Sequence, residues 1–154
     1  MAKAEVLARL EAQVGTEVHL GKWLEVTQAR VNQFAQATED FQWIHVDAAR
    51  AASESPWGGT IAHGFLTLSL LPRLRAAADG QAAYPGVKSV INYGLNRVRF
   101  TNVVRVGSRI RARCTLLSAE GIPGGVQLIE RHVVEIDGER KPACTAEVVV
   151  RLFF

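Results

Sequence analysis

A carboxylate and an imidazole stand five residues apart in this sequence, at Asp40 and His45. Asp40 follows a segment with helical periodicity and His45 precedes another, so both residues fall in a short connection between two predicted helices. There the two side chains can point into a cleft, hold a water molecule and remove a proton from it. The spacing alone also fits a simpler interpretation, in which Asp40 is a charge at a helix end and His45 is a solvated loop residue.

A third candidate lies eighteen residues after His45, where Ala62-His63-Gly64 precedes a run of apolar residues. Backbone N–H groups in the first turn of a helix have no partners within the helix, so the Gly64 N–H can donate a hydrogen bond to an oxyanion. Because glycine has no side chain, a ligand carbonyl can approach this backbone closely. We interpret the neighbouring His63 as a structural residue that fixes the start of the helix.

The elements that must position these residues differ between the two halves of the chain. Helical periodicity and capping residues dominate the first half. The segments predicted there are a helix closed by Gly15, an extended stretch over residues 17–26, a helix from Thr27 to Glu39, a loop over residues 40–46, and a short helix over residues 48–54 capped by Asp47. Residues 64–78 are apolar on nearly every side, which predicts one long buried helix that Pro72 kinks.

The second half of the chain alternates polar and apolar residues with a period of two, which is typical of strands with one buried face. Strands are predicted over residues 87–100, 108–117, 126–136 and 143–153. An antiparallel sheet of five or six strands wrapped around one long central helix is the hotdog arrangement, an α+β fold, and we expect residues 1–154 to form a single such domain. Arg109, Arg111 and Arg113 are expected on its solvated outer face.

The composition excludes several classes of protein. With 48% hydrophobic residues and a net charge of +3, the 154-residue chain can bury a core and is not disordered. Cys114 and Cys144 are too few for a disulfide scaffold and are expected as reduced core residues. No apolar stretch is long enough to cross a membrane and the first twenty residues are charged, so we expect a cytoplasmic protein. The lack of a basic run argues against nucleic acid, whereas the mild positive charge suits a small phosphate-bearing ligand.

Several of these residues also resemble one protein family. Residues 34–74 are similar to the MaoC-like dehydratases, which include the (R)-specific enoyl-CoA hydratases and have hotdog folds. The segments that carry the resemblance are Asp40, Ile44, His45 and Ala51 at the spacing of the family motif, Ala62-His63-Gly64-Phe65, residues 92–100, and the turn at residues 106–108. Glu39 replaces a common glycine and Gln42-Trp43 replaces Asn-Pro, departures that resemble the nodulation-protein-N-like subgroup.

The resemblance implies hydration of a trans-2-enoyl-CoA thioester to the (R)-3-hydroxyacyl-CoA, and the reverse dehydration. Asp40 and His45 would hold the catalytic water, with the roles of base and acid left open. The Gly64 N–H would receive the enolate charge on the thioester oxygen, and Ser69 would support Asp40. No cofactor and no metal are expected, since coenzyme A enters as part of the substrate. The expected partner is a second copy of the chain in a homodimer, with neither nucleic acid nor a membrane involved.

Two other functions compete with hydration. Many hotdog thioesterases place an acidic residue on the central helix to activate water, but residues 64–78 contain none and Asp79 lies beyond their end. A non-catalytic domain that binds acyl thioesters would keep the groove and lose the acid–base pair, whereas this sequence keeps both Asp40 and His45. The residues therefore favour a hydratase over either alternative.

Overall fold

The computed structural model describes residues 2–76 and 84–154 as one antiparallel sheet with helices packed on it. The helices are α1 (Ala2–Glu11), α2 (Gln28–Thr38), α3 (Trp43–Val46), α4 (Ala48–Glu54), α5 (Gly64–Ser69) and α6 (Leu71–Arg75). The strands are β1 (Glu17–Leu20), β2 (Leu24–Glu25), β3 (Ser89–Phe100), β4 (Arg109–Ile122), β5 (Gly125–Ile136) and β6 (Cys144–Phe153). Among the helices of these two ranges, none combines the length and apolar character that crossing a membrane requires.

The six strands form the antiparallel sheet that the sequence predicted, in the order β1-β4-β5-β6-β3, with β2 paired to the start of β4. Burial alternates along β4 as the period-two pattern requires. Ile110, Ala112 and Cys114 are fully buried, whereas Arg111 and Arg113 lie on the outer face. The outer arginines pair with acids there, with Arg111 2.7 Å and Arg113 2.9 Å from Glu135. One face of the sheet therefore carries the core and the other carries charge.

The buried helix is divided, which corrects the prediction of one long central helix. Helix α5 ends at Ser69 and α6 begins at Leu71, with Leu70 between them at φ −78° and ψ −10°. Pro72 has no N–H to donate to the carbonyl of Leu68, so one backbone hydrogen bond is missing where the axis changes. Helical bonding resumes when the Leu74 N–H donates to the Leu70 carbonyl at 2.9 Å. The predicted last turn at Ala77 and Ala78, and Asp79 after it, lie outside the described residues.

The core fills the space between these two helices and the inner face of the sheet. Leu66, Leu71 and Leu74 are at most 4% exposed and belong to one apolar cluster with the inward residues of β4, β5 and β6. Cys114 and Cys144 are part of that cluster as free, buried thiols, which confirms their interpretation as reduced core residues. A smaller cluster lies under α1. The inner face of the sheet is thus covered mainly by α5 and α6.

Strand β3 forms one edge of the sheet and is exposed along nearly its whole length. Its large apolar side chains are between 45% and 58% exposed, namely Val90, Ile91, Tyr93, Leu95 and Phe100. Edge strands of this length are usually shortened, charged or covered, because their unpaired backbone groups invite another strand. This edge is long and apolar, and within the described residues no strand pairs with its outer side.

Candidate active site

Asp40 lies just after the end of helix α2. The helix begins where the Thr27 hydroxyl accepts a hydrogen bond from the Arg30 N–H at 3.2 Å, and it ends at Thr38. Glu39 then adopts a left-handed conformation with φ 62°. Glycine adopts that conformation at least cost, which accounts for the glycine that the motif commonly carries at this position. The chain turns sharply there, and Asp40 is the first residue after the turn.

Asp40 keeps its carboxylate accessible. The side chain is 53% exposed, and its Oδ1 accepts a hydrogen bond from the Gln42 N–H at 3.3 Å. Its other oxygen, Oδ2, lies 4.0 Å from Nε2 of His63. The main-chain carbonyl of Asp40 accepts a hydrogen bond from the same Nε2 at 3.0 Å. The carboxylate is therefore held in place chiefly through its backbone and has lone pairs left for a water molecule.

His45 lies in the one-turn helix α3, where the sequence predicted only a loop, and it is buried rather than solvated, at 6% exposure. Its Nδ1–H donates to the Ile61 carbonyl at 2.7 Å, so Nε2 carries the lone pair. Burial lowers the pKa of His45, and the nearby His63 lowers it further, against the opposing effects of the Ile61 carbonyl and Asp40. These effects favour a neutral imidazole whose Nε2 can accept a proton.

His63 contacts both Asp40 and His45. It is 2% exposed and stacks on the His45 ring, with 3.8 Å between the ring centres and 24° between the planes. Phe34 of α2 packs against its other side at 4.9 Å. Since its Nε2–H is bound to the Asp40 carbonyl, His63 fixes the relative positions of the acid and the imidazole. The ligand atoms of Asp40, His45 and His63 lie within 4.8 Å of one another, but holding a metal through His63 Nε2 would break its bond to Asp40.

Gly64 shares a cavity with His45. The cavity has a volume of about 390 Å³, and Thr67, Phe100 and Trp57 also line it. Gly64 is the first residue of α5, and its N–H donates to no acceptor in residues 2–76 or 84–154. A Cβ at this position would lie 3.1 Å from the Phe100 ring. His45 therefore links Asp40 and Gly64: its ring lies near the Asp40 carboxylate, and it shares this cavity with the unpartnered Gly64 N–H.

Ser69 is not part of this group, which corrects the expectation that it supports Asp40. Its hydroxyl donates to the carbonyl of Phe65, one turn earlier in its own helix, at 2.6 Å. A serine in a helix often bonds its own backbone in this way. Ser69 also lines a different cavity from the one that His45 and Gly64 share.

That second cavity is larger, about 720 Å³, and lies between the two buried helices and strands β3, β5 and β6. Most of its wall is apolar. Four of its polar residues form one connected group: Arg75, Tyr84, Glu130 and His132. The other polar lining residues are Ser69, Lys88, Ser89, Asn92 and Tyr93. Sequence reasoning assigned no role to His132. The available signal was the spacing of Glu130 and His132 on an alternating strand, which puts both side chains on the buried face.

Glu130 is the centre of the polar group in the larger cavity. Arg75 contacts both oxygens of Glu130, with Nε 3.1 Å from Oε2 and Nη2 3.0 Å from Oε1, and His132 Nε2 lies 2.9 Å from Oε2. Burial alone would raise the pKa of Glu130, but hydrogen bonds from His132 and Arg75 outweigh it and lower the pKa to about 2. Glu130 is therefore a fixed anion.

The chain is similar to several known proteins. Residues 9–135 match the family model of the MaoC-like domain. The chain is 50% identical over 152 residues to 3-hydroxyacyl-thioester dehydratase Z of Mycobacterium tuberculosis, covering 98% of each chain. It is 45% identical to nodulation protein N of Rhizobium meliloti over 91% of this chain and 86% of that one. Among solved structures, an (R)-hydratase from A. caviae aligns with a TM-score of 0.63 and 29% identity over 86% of this chain and 96% of that one. A monoamine oxidase regulatory protein from Archaeoglobus aligns with a TM-score of 0.75 and 25% identity over 92% and 90%.

Proposed function

The chain belongs to the MaoC-like dehydratase family, and we propose that it hydrates trans-2-enoyl-CoA thioesters to (R)-3-hydroxyacyl-CoA and catalyses the reverse dehydration. The observation that carries this proposal is the position of His45: one of its ring nitrogens lies within 4.8 Å of an Asp40 carboxylate oxygen, and the residue lines the same cavity as Gly64 with its unpartnered N–H. The relative named 3-hydroxyacyl-thioester dehydratase Z and the (R)-hydratase from A. caviae support the reaction class.

In the proposed reaction, Asp40 and His45 bind the water between them and take one of its protons. The water oxygen bonds to C3 of the 2,3 double bond, and the π electrons shift through C2 to the thioester oxygen. The Gly64 N–H stabilises the negative charge that develops on that oxygen. C2 then takes up a proton and the thioester carbonyl re-forms. The lowered pKa of His45, caused chiefly by burial, supports a neutral Nε2 as one acceptor. The pair shares the proton as one unit.

We further propose that the protein works as a homodimer paired along β3. The exposed apolar side chains of this edge support the pairing, because two copies can extend one sheet across a two-fold axis. Phe100 lies at the end of β3 and also lines the cavity of His45 and Gly64. A partner at this edge would therefore help to enclose the site. Free thiols at Cys114 and Cys144 support a reducing, cytoplasmic location.

An assay of the purified protein against trans-2-enoyl-CoA thioesters, with chiral analysis of the product, tests the reaction. We expect the (R)-3-hydroxyacyl thioester. Formation of the (S)-alcohol, or release of free coenzyme A without hydration, would contradict the proposal. Light scattering across micromolar concentrations tests the dimer, and a monomer mass throughout that range would contradict it.

A further inference from the structure

The larger cavity follows the two buried helices away from the proposed oxyanion donor. Gly64 and Thr67 of α5 line the smaller cavity, and Leu68 lines the larger one, which then continues along Leu71 to Arg75. At a helical rise of about 1.5 Å per residue, Gly64 and Arg75 are separated by about 16 Å along the helices. With the thioester oxygen at Gly64, the larger cavity is the mostly apolar space available to the acyl chain, since its lining begins at Leu68, next to Thr67 of the smaller cavity. The inference below therefore rests on the proposed hydration of enoyl thioesters.

The far end of that cavity is polar. Arg75, Glu130 and His132 lie there, next to apolar residues such as Leu128, Val148 and Val150. The cavity has other polar lining residues, namely Ser69, Lys88, Ser89, Asn92 and Tyr93, but no hydrogen bond within the described residues joins them to this group. Cavities of this composition, apolar with a few convergent polar groups, are typical of sites that orient one end of a ligand. Glu130 and His132 are 5% and 3% exposed, and a carboxylate buried so deeply is costly unless hydrogen bonds compensate it.

The bonding of this group is incomplete. Nδ1 of His132 is buried and has no hydrogen-bond partner. The Tyr84 hydroxyl lies 3.4 Å from Nη2 of Arg75, a long contact that leaves the hydroxyl able to bond elsewhere. The Arg75 side chain is 22% exposed. A purely aliphatic chain that reached this end would remove water from these groups and return no hydrogen bond, which is unfavourable.

A metal ion suits the group poorly. Cys114, Glu130 and His132 offer ligand atoms within 4.8 Å of one another. However, both Glu130 oxygens are already bound by Arg75, and burial together with the Glu130 charge raises the pKa of the Cys114 thiol to about 12. A cation would have to displace a guanidinium and remove a tightly held proton. A hydrogen-bonding oxygen requires neither.

We propose that Arg75, Glu130, His132 and Tyr84 form a polar subsite that binds an oxygen-bearing group on the distal part of the acyl chain. The preferred substrates are then trans-2-enoyl thioesters whose chain carries a hydroxyl, carbonyl or carboxyl oxygen at the depth of Arg75. Thioesters with a plain alkyl tail of the same length are poorer substrates. The subsite sets specificity and takes no part in the proton transfers at Asp40 and His45.

The test compares pairs of trans-2-enoyl-CoA thioesters whose acyl chains have the same number of carbons, from four to sixteen. In each pair, one acyl chain ends in a methyl group and the other in a hydroxymethyl group. For the unsubstituted protein we expect kcat/KM to favour the hydroxylated member by about ten- to a hundredfold at lengths that reach Arg75, since an unmade buried hydrogen bond has an effect of this size. At four carbons neither member reaches the subsite, and the two should not differ.

The test variant combines Arg75→Met with Glu130→Leu and so replaces the ion pair by apolar side chains. The control variant is Arg73→Met, which makes the same arginine change at an exposed position of α6. The preference is measured as a ratio within each protein, so a general loss of folded enzyme cancels. We expect the ratio to fall to one or below in the double variant and to stay unchanged in Arg73→Met. If the double variant does not fold, the substrate comparison on the unsubstituted protein still decides the question.

Three outcomes would overturn the subsite. One is equal or better hydration of long alkyl thioesters by the unsubstituted protein. Another is hydration confined to short chains of both kinds, which would mean that Arg75 and Glu130 only close the cavity. The third is a double variant that keeps the preference for hydroxylated chains. Failure to hydrate any thioester, the four-carbon one included, would instead refute the proposed function.

Discussion

Replacing Asp40 with asparagine separates a catalytic carboxylate from a structural one. Asp40→Asn keeps the shape of the side chain and removes its ability to accept the proton of water. Loss of a general base lowers a rate by about 10²–10⁴-fold, equivalent to about 3–5 kcal/mol of transition-state stabilisation. The rate of hydration of a four-carbon trans-2-enoyl-CoA, monitored as the loss of enoyl absorbance, measures this effect directly.

The structure predicts almost no change in stability for the same variant. The Asp40 side chain is 53% exposed, and its one hydrogen bond within the described residues, from the Gln42 N–H, can be kept by the asparagine oxygen. The free energy of unfolding should therefore change by no more than about 0.5 kcal/mol. His45→Ala should be comparably inactive, and the double variant little worse than either single one, because the pair acts as a unit.

Asp47→Asn is the matched control. Asp47 caps α4 by accepting a hydrogen bond from the Arg50 N–H at 3.0 Å, and asparagine is an equally good N-cap. This variant should keep both its activity and its melting temperature. The catalytic interpretation is refuted if Asp40→Asn remains active, and an active variant with a lowered melting temperature would show that Asp40 only ends α2.

The remaining predictions concern the other parts of the site and the fold. Gly64→Ala places a Cβ 3.1 Å from the Phe100 ring, so we expect at least a tenfold lower kcat/KM, with partial recovery when Phe100→Ala is added; an unchanged kcat/KM would contradict the role of this backbone. His63→Phe keeps the stack on His45 but loses the bond to the Asp40 carbonyl, so kcat should fall while KM stays constant, and a stability change without a kcat change would argue against a positioning role. Ile91→Lys puts a charge on the exposed β3 edge and should shift the protein to a monomer in light scattering; an intact dimer would place the interface elsewhere. The folded pKa of Glu130, about 2 despite its burial, lies below its ordinary value of 4.5, so this group adds about 3 kcal/mol of stability above pH 5 that is lost as the pH falls towards 2. Urea unfolding measures the free energy of unfolding at pH 7 and pH 3. The loss of stability between these two pH values should be smaller for Glu130→Gln than for the unsubstituted protein, and an equal loss would contradict the stabilising role of the Glu130 carboxylate.

Sequence reasoning succeeded where local rules decide the structure. Thr27 and Asp47 cap the helices that follow them, as their side chains and positions predicted. The alternation along β4 placed Ile110 and Cys114 inside and Arg111 outside. These outcomes depend on residues within a few positions of each other, or on a repeat with a fixed period, and so can be inferred without knowing the rest of the fold.

It failed where tertiary contacts decide. The bond from His45 Nδ1 to the Ile61 carbonyl joins segments sixteen residues apart, so neither the burial of His45 nor the short helix α3 was predicted. The sequence predicted one long helix with a kink at Pro72, whereas the structure divides this helix at Leu70. Ser69 is different, because its partner is local: its hydroxyl donates to the Phe65 carbonyl one turn earlier in the same helix, a bond that helical serines often make.

Residues 2–76 and 84–154 contain two carboxylate–histidine groups of similar composition, and their surroundings explain why one of them suits proton transfer better. Glu130 is 5% exposed, its two oxygens are bound by Arg75 and His132, and the pKa of its carboxyl is about 2, because those bonds outweigh the effect of burial. A carboxylate stabilised this strongly as an anion is a weak base near neutral pH. The Asp40 carboxylate accepts one long hydrogen bond within the described residues and is half exposed. It lies next to the buried imidazole of His45, whose pKa is lowered chiefly by burial. The proton of water can therefore be taken up at Asp40 and His45, while Glu130 serves as a fixed charge.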